Sequence, residues 1–235
     1  MFKHCFLFLV GLGVSTAGEL SPQEKFFNKM APIVAAVNQK IFLDRQRLEA
    51  WANQFPLRAN KEMLELQKNY QVSCDITEKK CLLELKKRVD IVPNSLALGQ
   101  AALESGFGTS RFAKEGNAYY GQWCFKKGCG IPPKDPNKKL GYYAVKRFSS
   151  PKNATEEYIH NLNTQPSYEA FRTMRASQRK HSIRLDSIAL VNTLDLYSTS
   201  GNKYLRDIKS IISTYQLQKY DNAKYSYTAK NHFFV

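Results

Sequence analysis

The run from Pro93 to Leu103, Pro-Asn-Ser-Leu-Ala-Leu-Gly-Gln-Ala-Ala-Leu, carries no charged side chain, and Glu104-Ser105-Gly106 follows it directly. A helix without a polar face is stable only when protein surrounds it, so the rest of the chain must fold around this segment. Asn94 or Ser95 supplies a residue able to cap its N-terminus. Glu104 then stands where the buried helix ends. Burial disfavours a carboxylate there, and so does the negative end of the helix dipole. Both raise its pKa, and a carboxyl that keeps its proton near neutrality is what general-acid cleavage of a glycosidic bond requires. The plainer alternative is that Glu104 caps the helix or pairs with Arg111 or Lys114.

Around this helix the pattern is mainly helical. Ser21-Pro22-Gln23-Glu24 combines an N-cap, a proline at the first helical position and a glutamate at the third, which predicts a helix start. Apolar residues Ile33, Val34, Val37, Ile41 and Leu48 then recur at helical spacing, and 61–72 and 78–89 repeat the pattern. Glycines 106, 108, 116 and 121 interrupt regular structure. The stretches 118–125 and 141–148 read as two strands of a hairpin joined by a long loop rich in proline and lysine. In that strand Tyr119, Gly121 and Trp123 share one face, and Tyr120 and Gln122 the other. Helix resumes at Ser150-Pro151, with segments at 154–162, 167–174, 185–196 and 204–217. The expected class is α+β, mainly helical with a small antiparallel β-hairpin.

Met1 to Ala17 has one cation, Lys3, an apolar run at 6–10 and a small-residue end, Ser15-Thr16-Ala17, the layout of a secretory signal peptide. Its apolar core is shorter than a membrane span, so no stable membrane insertion is expected after the signal is removed. The formal charge of +15 favours a polyanionic partner such as a carboxylate-bearing wall polymer, anionic lipid or nucleic acid. Export and the absence of a nucleic-acid motif argue against the last. Apart from Cys5 in the signal, the cysteines form two close pairs, Cys74 with Cys81 and Cys124 with Cys129. In an exported chain this arrangement predicts two short disulfides. The alternative metal site lacks the tight C-x-x-C spacing, and the histidines at 4, 160, 181 and 232 are scattered. Neither metal nor cofactor is expected.

Leu96-Ala-Leu-Gly-Gln-Ala-Ala-Leu-Glu104-Ser-Gly-Phe-Gly-Thr-Ser-Arg-Phe-Ala113, followed by Gly121-Gln-Trp-Cys-Phe125 and Gly128-Cys-Gly130, resembles the bacterial Bax proteins, which are unrelated to the animal apoptosis factor. These belong to the glucosaminidase group, glycoside hydrolase family 73, with the wall-hydrolysing half of flagellar rod-assembly proteins. The resemblance runs from about Val89 to Tyr220. It implies a lysozyme-like fold and an endo-β-N-acetylglucosaminidase that cleaves peptidoglycan strands beside N-acetylglucosamine, with Glu104 as general acid. The organisation it suggests is a signal at 1–17, a helical N-terminal extension at 18–89, the catalytic domain at 90–220 and a loosely ordered polar tail at 221–235. The expected protein is a periplasmic monomer.

Much of that family carries a second carboxylate in the hairpin, but the matching segment here, Gly141-Tyr-Tyr-Ala-Val-Lys-Arg-Phe148, has alanine at 144. A glycosidase ordinarily uses two carboxyl groups, about 5 Å apart for retention or about 6.5 to 9.5 Å for inversion. Three routes remain. The substrate's 2-acetamido group can act as nucleophile; Asp135, Glu156 or Glu157 can fold in, although each also reads as a solvated surface acid; or the chain is a lytic transglycosylase relying on Glu104 alone. The stretch 196–204 is similar to the family's Y-A-T...Y segment, which implies that Tyr197 faces Glu104, with Tyr204 packing. Gln122, Trp123, Tyr119 and Phe107 are the candidate substrate-binding residues, and Arg111 is a candidate for holding the Glu104 region in place. A non-catalytic wall-binding protein is the competing class.

Overall fold

The computed structural model describes residues 19–222 apart from 55, 138, 140, 182, 183 and 199. The expected signal at 1–17 and most of the expected tail lie outside the described residues. The chain opens with a long helix, α1 (Pro22–Ala52). Its start is the expected capping box: the Glu24 amide donates to Ser21 Oγ at 3.2 Å, and the Ser21 amide donates to Glu24 Oε2 at 2.8 Å. Two short helices follow, α2 (Lys61–Asn69) and α3 (Lys79–Arg88). The uncharged segment forms α4 (Asn94–Ser105), and α5 (Arg111–Gly116) comes next.

Helix α4 occupies the centre, with every residue from Asn94 to Ala102 buried. It packs against α1, against α9 (Asn202–Thr214) and against the terminal 3-10 turn Leu217–Asn222. Its N-terminus is capped from outside rather than by Asn94 or Ser95. The Ser95 amide and hydroxyl both donate to the Asp221 carboxylate, at 2.8 and 2.6 Å, and Asn94 Nδ2 donates to the Tyr220 carbonyl. Tyr220 and Asp221 are therefore bound to the core helix, and the expectation of a loose tail from 221 does not hold for Asp221. The four orphan amides of a buried helix start need acceptors, and here the chain's far end supplies one.

Two clusters of buried side chains divide the N-terminal helices between them. The first half of α1, Phe26 to Ile41, belongs to the main core with α4, α6 (Pro151–Thr164) and α9. The second half, Leu48 and Trp51, packs with α2 and α3 in a smaller core that includes Cys81. The described residues before 90 thus contribute to both cores. Cys74 and Cys81 are joined within the smaller core, and Cys124 and Cys129 beside the sheet, as expected.

The sheet departs from the expected hairpin. It has three strands in the order β1-β3-β2, all antiparallel: β1 (Trp123–Cys124), β2 (Gly130–Ile131) and β3 (Ala144–Lys146). Residues 118–122 are not strand, because Gly121 adopts φ +66° and turns the chain. The 124–129 disulfide then folds it back, so that Gly130-Ile131 can pair with the free edge of β3. The expected helix 185–196 is also divided. Asp186 caps α8 (Ser187–Val191), Thr193 bonds back to the Leu190 carbonyl at 2.8 Å, and a 3-10 turn, Asp195–Tyr197, follows. Between α6 and α8 lies α7 (Glu169–His181). None of the described helices is long and apolar enough to cross a membrane. The architecture is α+β and lysozyme-like, mostly helical with a small sheet at one side.

Candidate active site

The turn after α4 fixes where Glu104 points. Gly106 ends the helix in the left-handed conformation, and Ser105 Oγ bridges the turn by donating to the Ala101 carbonyl at 2.6 Å and accepting from the Gly108 amide at 2.8 Å. The Glu104 side chain enters a cavity of about 500 Å³. Tyr120, Gly121, Gln122 and Trp123 form one wall, and α6 contributes Glu157, Tyr158 and Asn161 to another. Tyr168, Leu196, Tyr197 and Ser198 close the remainder.

Burial holds the Glu104 carboxyl above the usual carboxylate range, and a hydrogen bond from Tyr204 offsets only part of that effect. Among the described residues Glu104 takes part in no ion pair, so the expected alternative of a link to Arg111 or Lys114 is not realised. Arg111 instead donates to the Pro132 carbonyl at 2.7 Å and lies 3.9 Å from Glu115, tying α5 to the sheet. Behind the acid runs a buried chain of hydrogen bonds. Tyr158 donates to Gln100 Oε1, and Gln100 Nε2 donates to the Tyr204 hydroxyl at 2.8 Å. Burial keeps the phenols of Tyr158, Tyr197 and Tyr204 well above their ordinary pKa, so all three remain neutral donors.

The expected roles of the two tyrosines after α8 therefore separate. Tyr204, read from sequence as packing, is the one whose hydroxyl meets Glu104. Tyr197 lines the same cavity and its ring stacks on Tyr204, with centroids 5.6 Å apart and planes 5° from parallel. Its hydroxyl donates to the Tyr120 carbonyl at 2.8 Å. Tyr204 lies on the first turn of α9, where it faces Gln100 of α4.

Of the candidate binding residues, Gln122 and Trp123 line the cavity and two others do not. Trp123 is 51% exposed and stacks on Tyr143, centroids 4.9 Å apart. Gln122 donates from Nε2 to the Ala154 carbonyl at 3.0 Å, while its Oε1 has no partner among the described residues. Tyr119 turns the other way because 118–122 is not strand; it is buried against Phe26, and its hydroxyl accepts from Lys29 at 2.8 Å. Phe107 packs edge-on against Phe26, Phe27 and Tyr215 in the core and is likewise absent from the cavity wall.

Ala144 is fully buried and pairs with Cys124 in the sheet, so the hairpin position that could have carried an acid faces packed protein. Asp135 is exposed on the loop and Glu156 turns away, but Glu157 does reach the cavity. Its carboxylate is held by Lys146 of β3. The plain surface reading is thus set aside for Glu157 and retained for Asp135. Among the described residues no group of three or more metal-binding side chains is assembled.

A buried helix that delivers one protonatable carboxyl to a cleft beside a small sheet, with helices on the other side, defines a glycoside hydrolase of lysozyme-like fold. The family model "Glucosaminidase: Mannosyl-glycoprotein endo-beta-N-acetylglucosaminidase" matches residues 79–217. This chain belongs to the glucosaminidase family. It is 33% identical to Protein bax of Escherichia coli (strain K12) over 188 residues, a match that covers 78% of this chain and 66% of that protein. The fold is similar to the crystal structure of the catalytic domain of the autolysin Auto from Listeria monocytogenes, with a TM-score of 0.50 and 18% identity, over 88% of this chain and 91% of that one.

Proposed function

We propose that this chain is an exported, periplasmic peptidoglycan hydrolase, an endo-β-N-acetylglucosaminidase in which Glu104 protonates the glycosidic oxygen. The observation that carries the reading is the Glu104 carboxyl itself. Burial raises its pKa, no cation pairs with it among the described residues, and it opens into a cavity large enough for a sugar ring. The family and the autolysin fold support the substrate class, and the disulfides and signal-like N-terminus support export.

In this mechanism the glycan lies across the cavity with one ring against Trp123. Glu104 gives its proton to the leaving oxygen, and the carboxylate that forms is steadied by the Tyr204 hydroxyl. Glu157, kept close to Lys146, provides the second carboxylate and offsets the positive charge that develops on the sugar ring until water adds to the anomeric carbon and returns a proton to Glu104. Tyr197 acts by position: its bond to the Tyr120 carbonyl holds the 120–121 backbone against Glu104. Digestion of purified peptidoglycan tests the reading. New reducing N-acetylglucosamine ends are expected from the wild type and none from Glu104→Gln; 1,6-anhydro-muramic ends would make it a lytic transglycosylase, and retained wall binding without cleavage by either protein would leave a binding module.

A further inference from the structure

On the other side of α6 lies a second cavity, of about 560 Å³, and Glu157 lines both. One wall is α6, with Glu156 and Asn163; the other is made by Lys40 and Asp44 of α1 and by Tyr70 after α2. The two walls differ in origin. Helix α6 lies within the family-matched residues 79–217, whereas Lys40, Asp44 and Tyr70 lie before them. The N-terminal helices therefore add a groove to the glucosaminidase domain, and that groove adjoins the cleavage site.

Its chemistry is that of an acceptor. Asn163 is fully buried on the cavity wall, and its Nδ2 donates to the Asp90 carbonyl at 3.0 Å, which fixes the orientation of the amide. The Oδ1 is left with no partner among the described residues. A buried amide oxygen without a donor costs about 1–3 kcal/mol, and that cost is recovered when an N–H reaches it. Asp44, 3.2 Å from Arg47, Glu156, 3.9 Å from Lys152, and Glu157 add carboxylates to the same walls, in a chain whose formal charge is +15. Lys40 stands exposed at the edge, where a terminal carboxylate could meet it.

We propose that this groove binds a short peptide bearing a free amino group, the stem attached to the glycan strand that occupies the first cavity. The inference rests on the peptidoglycan reading, since that polymer carries a peptide stem beside the bond cleaved. Stem amides and the ammonium group supply donors to Asn163, Asp44 and Glu156, and the ridge at Glu157 is where the branch leaves the sugar chain.

The test compares intact peptidoglycan with the same glycan strands after an amidase has removed the stems, using wild type and the double variant Asp44→Asn/Glu156→Gln, neither residue being part of the catalytic machinery. On intact substrate the variant is expected to raise KM about tenfold with kcat unchanged; on stripped strands the two proteins should match. Equal KM values on intact substrate, or an equal rise on both substrates, would overturn the proposal. A second measurement does not depend on hydrolysis. A synthetic stem peptide with a free side-chain amine, titrated into the Glu104→Gln protein, should shift the Asn163 side-chain amide in NMR spectra, and Lys40→Glu should weaken that binding. No shift at saturating peptide rejects the groove even if the enzyme is active. A shift in the Glu104→Gln protein, together with a wild type that cleaves neither substrate, retains the groove and rejects the hydrolase reading.

Discussion

A methyl group added at Gly121 would sit 2.7 Å from Oε2 of Glu104, closer than any real β-carbon contact. The backbone that carries Gly121, held by the Tyr197 hydroxyl through the neighbouring carbonyl, is therefore the wall against which the acid rests. The residue is also in the left-handed region at φ +66°. Gly121→Ala should push the Glu104 carboxyl out of place and add about 1 kcal/mol of backbone strain. The expected result is a fall in kcat of about a hundredfold, in line with a displacement of about 1 Å, with the thermal midpoint lowered by only about 2 to 4 °C. Steady-state kinetics and a melting curve check both; unchanged kcat would mean that Glu104 does not depend on this contact.

Tyr204→Phe gives a prediction with a definite sign. The hydroxyl donates to Glu104 and so favours its charged form; burial opposes this and prevails, leaving the carboxyl raised. Removing the donor leaves burial unopposed, so the pKa moves higher still. The acid then keeps its proton to higher pH, and the alkaline limb of the kcat/KM profile should shift upward. The maximum rate falls about tenfold or more, because the carboxylate left after proton transfer loses its hydrogen bond. A downward shift of that limb would contradict the arrangement. Because protonation is favoured in the folded state, Glu104 costs stability above its raised pKa. Glu104→Gln should therefore melt higher than wild type at neutral pH.

Glu157→Gln separates the second carboxylate from substrate-assisted chemistry. If Glu157 offsets charge in the transition state, the change should lower kcat by about a hundredfold with little effect on KM. Lys146→Met should produce a smaller loss of the same kind, because it leaves the carboxylate in place but without the amine that holds it. Added azide or another small anion should restore part of the rate in Glu157→Ala, where the shortened side chain leaves it room. Full activity in Glu157→Gln would assign the second role to the substrate's acetamido group.

Much of the frame is readable in the residues alone, and the gaps have physical causes. The capping box at Ser21, the uncharged α4 and the cysteine pairs are local signals, set by residues within a few positions of one another, and each reappears in the structure. Glu104 is legible because it directly follows an uncharged run that must be buried, although the walls around it come from 120–123, α6 and 168–198. Tyr119, Tyr120 and Trp123 were assigned faces by strand alternation, which fails at one glycine with positive φ. Glu157 and Glu156 are adjacent and alike in sequence, and only the packing of β3 against α6 separates them: Lys146 takes one and leaves the other outside the catalytic cavity. Asp221 capping α4 joins residues 126 positions apart, a relation that no local pattern contains.

Asp90, just before α4, tests what holds that helix to the rest of the protein. Only 2% of its side chain is exposed, and three guanidinium groups converge on it: Arg179 at 2.8 Å, Arg45 at 3.3 Å and Arg175 at 3.9 Å. Burial by itself would raise the carboxyl, but Arg175, Arg179 and Arg45 together hold it below the usual range. Arg175, lowered by burial to about 10, is still charged at neutral pH. Asp90→Asn would leave the fully buried Arg175 without its counter-charge, while Arg45 keeps Glu49 at 2.9 Å, at a cost of about 3 to 5 kcal/mol at pH 7. The sign of the pH dependence follows from the depressed pKa. The carboxylate's contribution is complete above the unfolded value of about 3.9 and is lost as pH falls through the folded one. Urea unfolding at pH 7 and again near pH 2 should therefore show a large difference between wild type and variant that narrows in acid. A variant less than about 1 kcal/mol weaker at pH 7 would mean that water or chain movement solvates the arginines, and that the join between α1, α4 and α7 does not depend on this ion cluster.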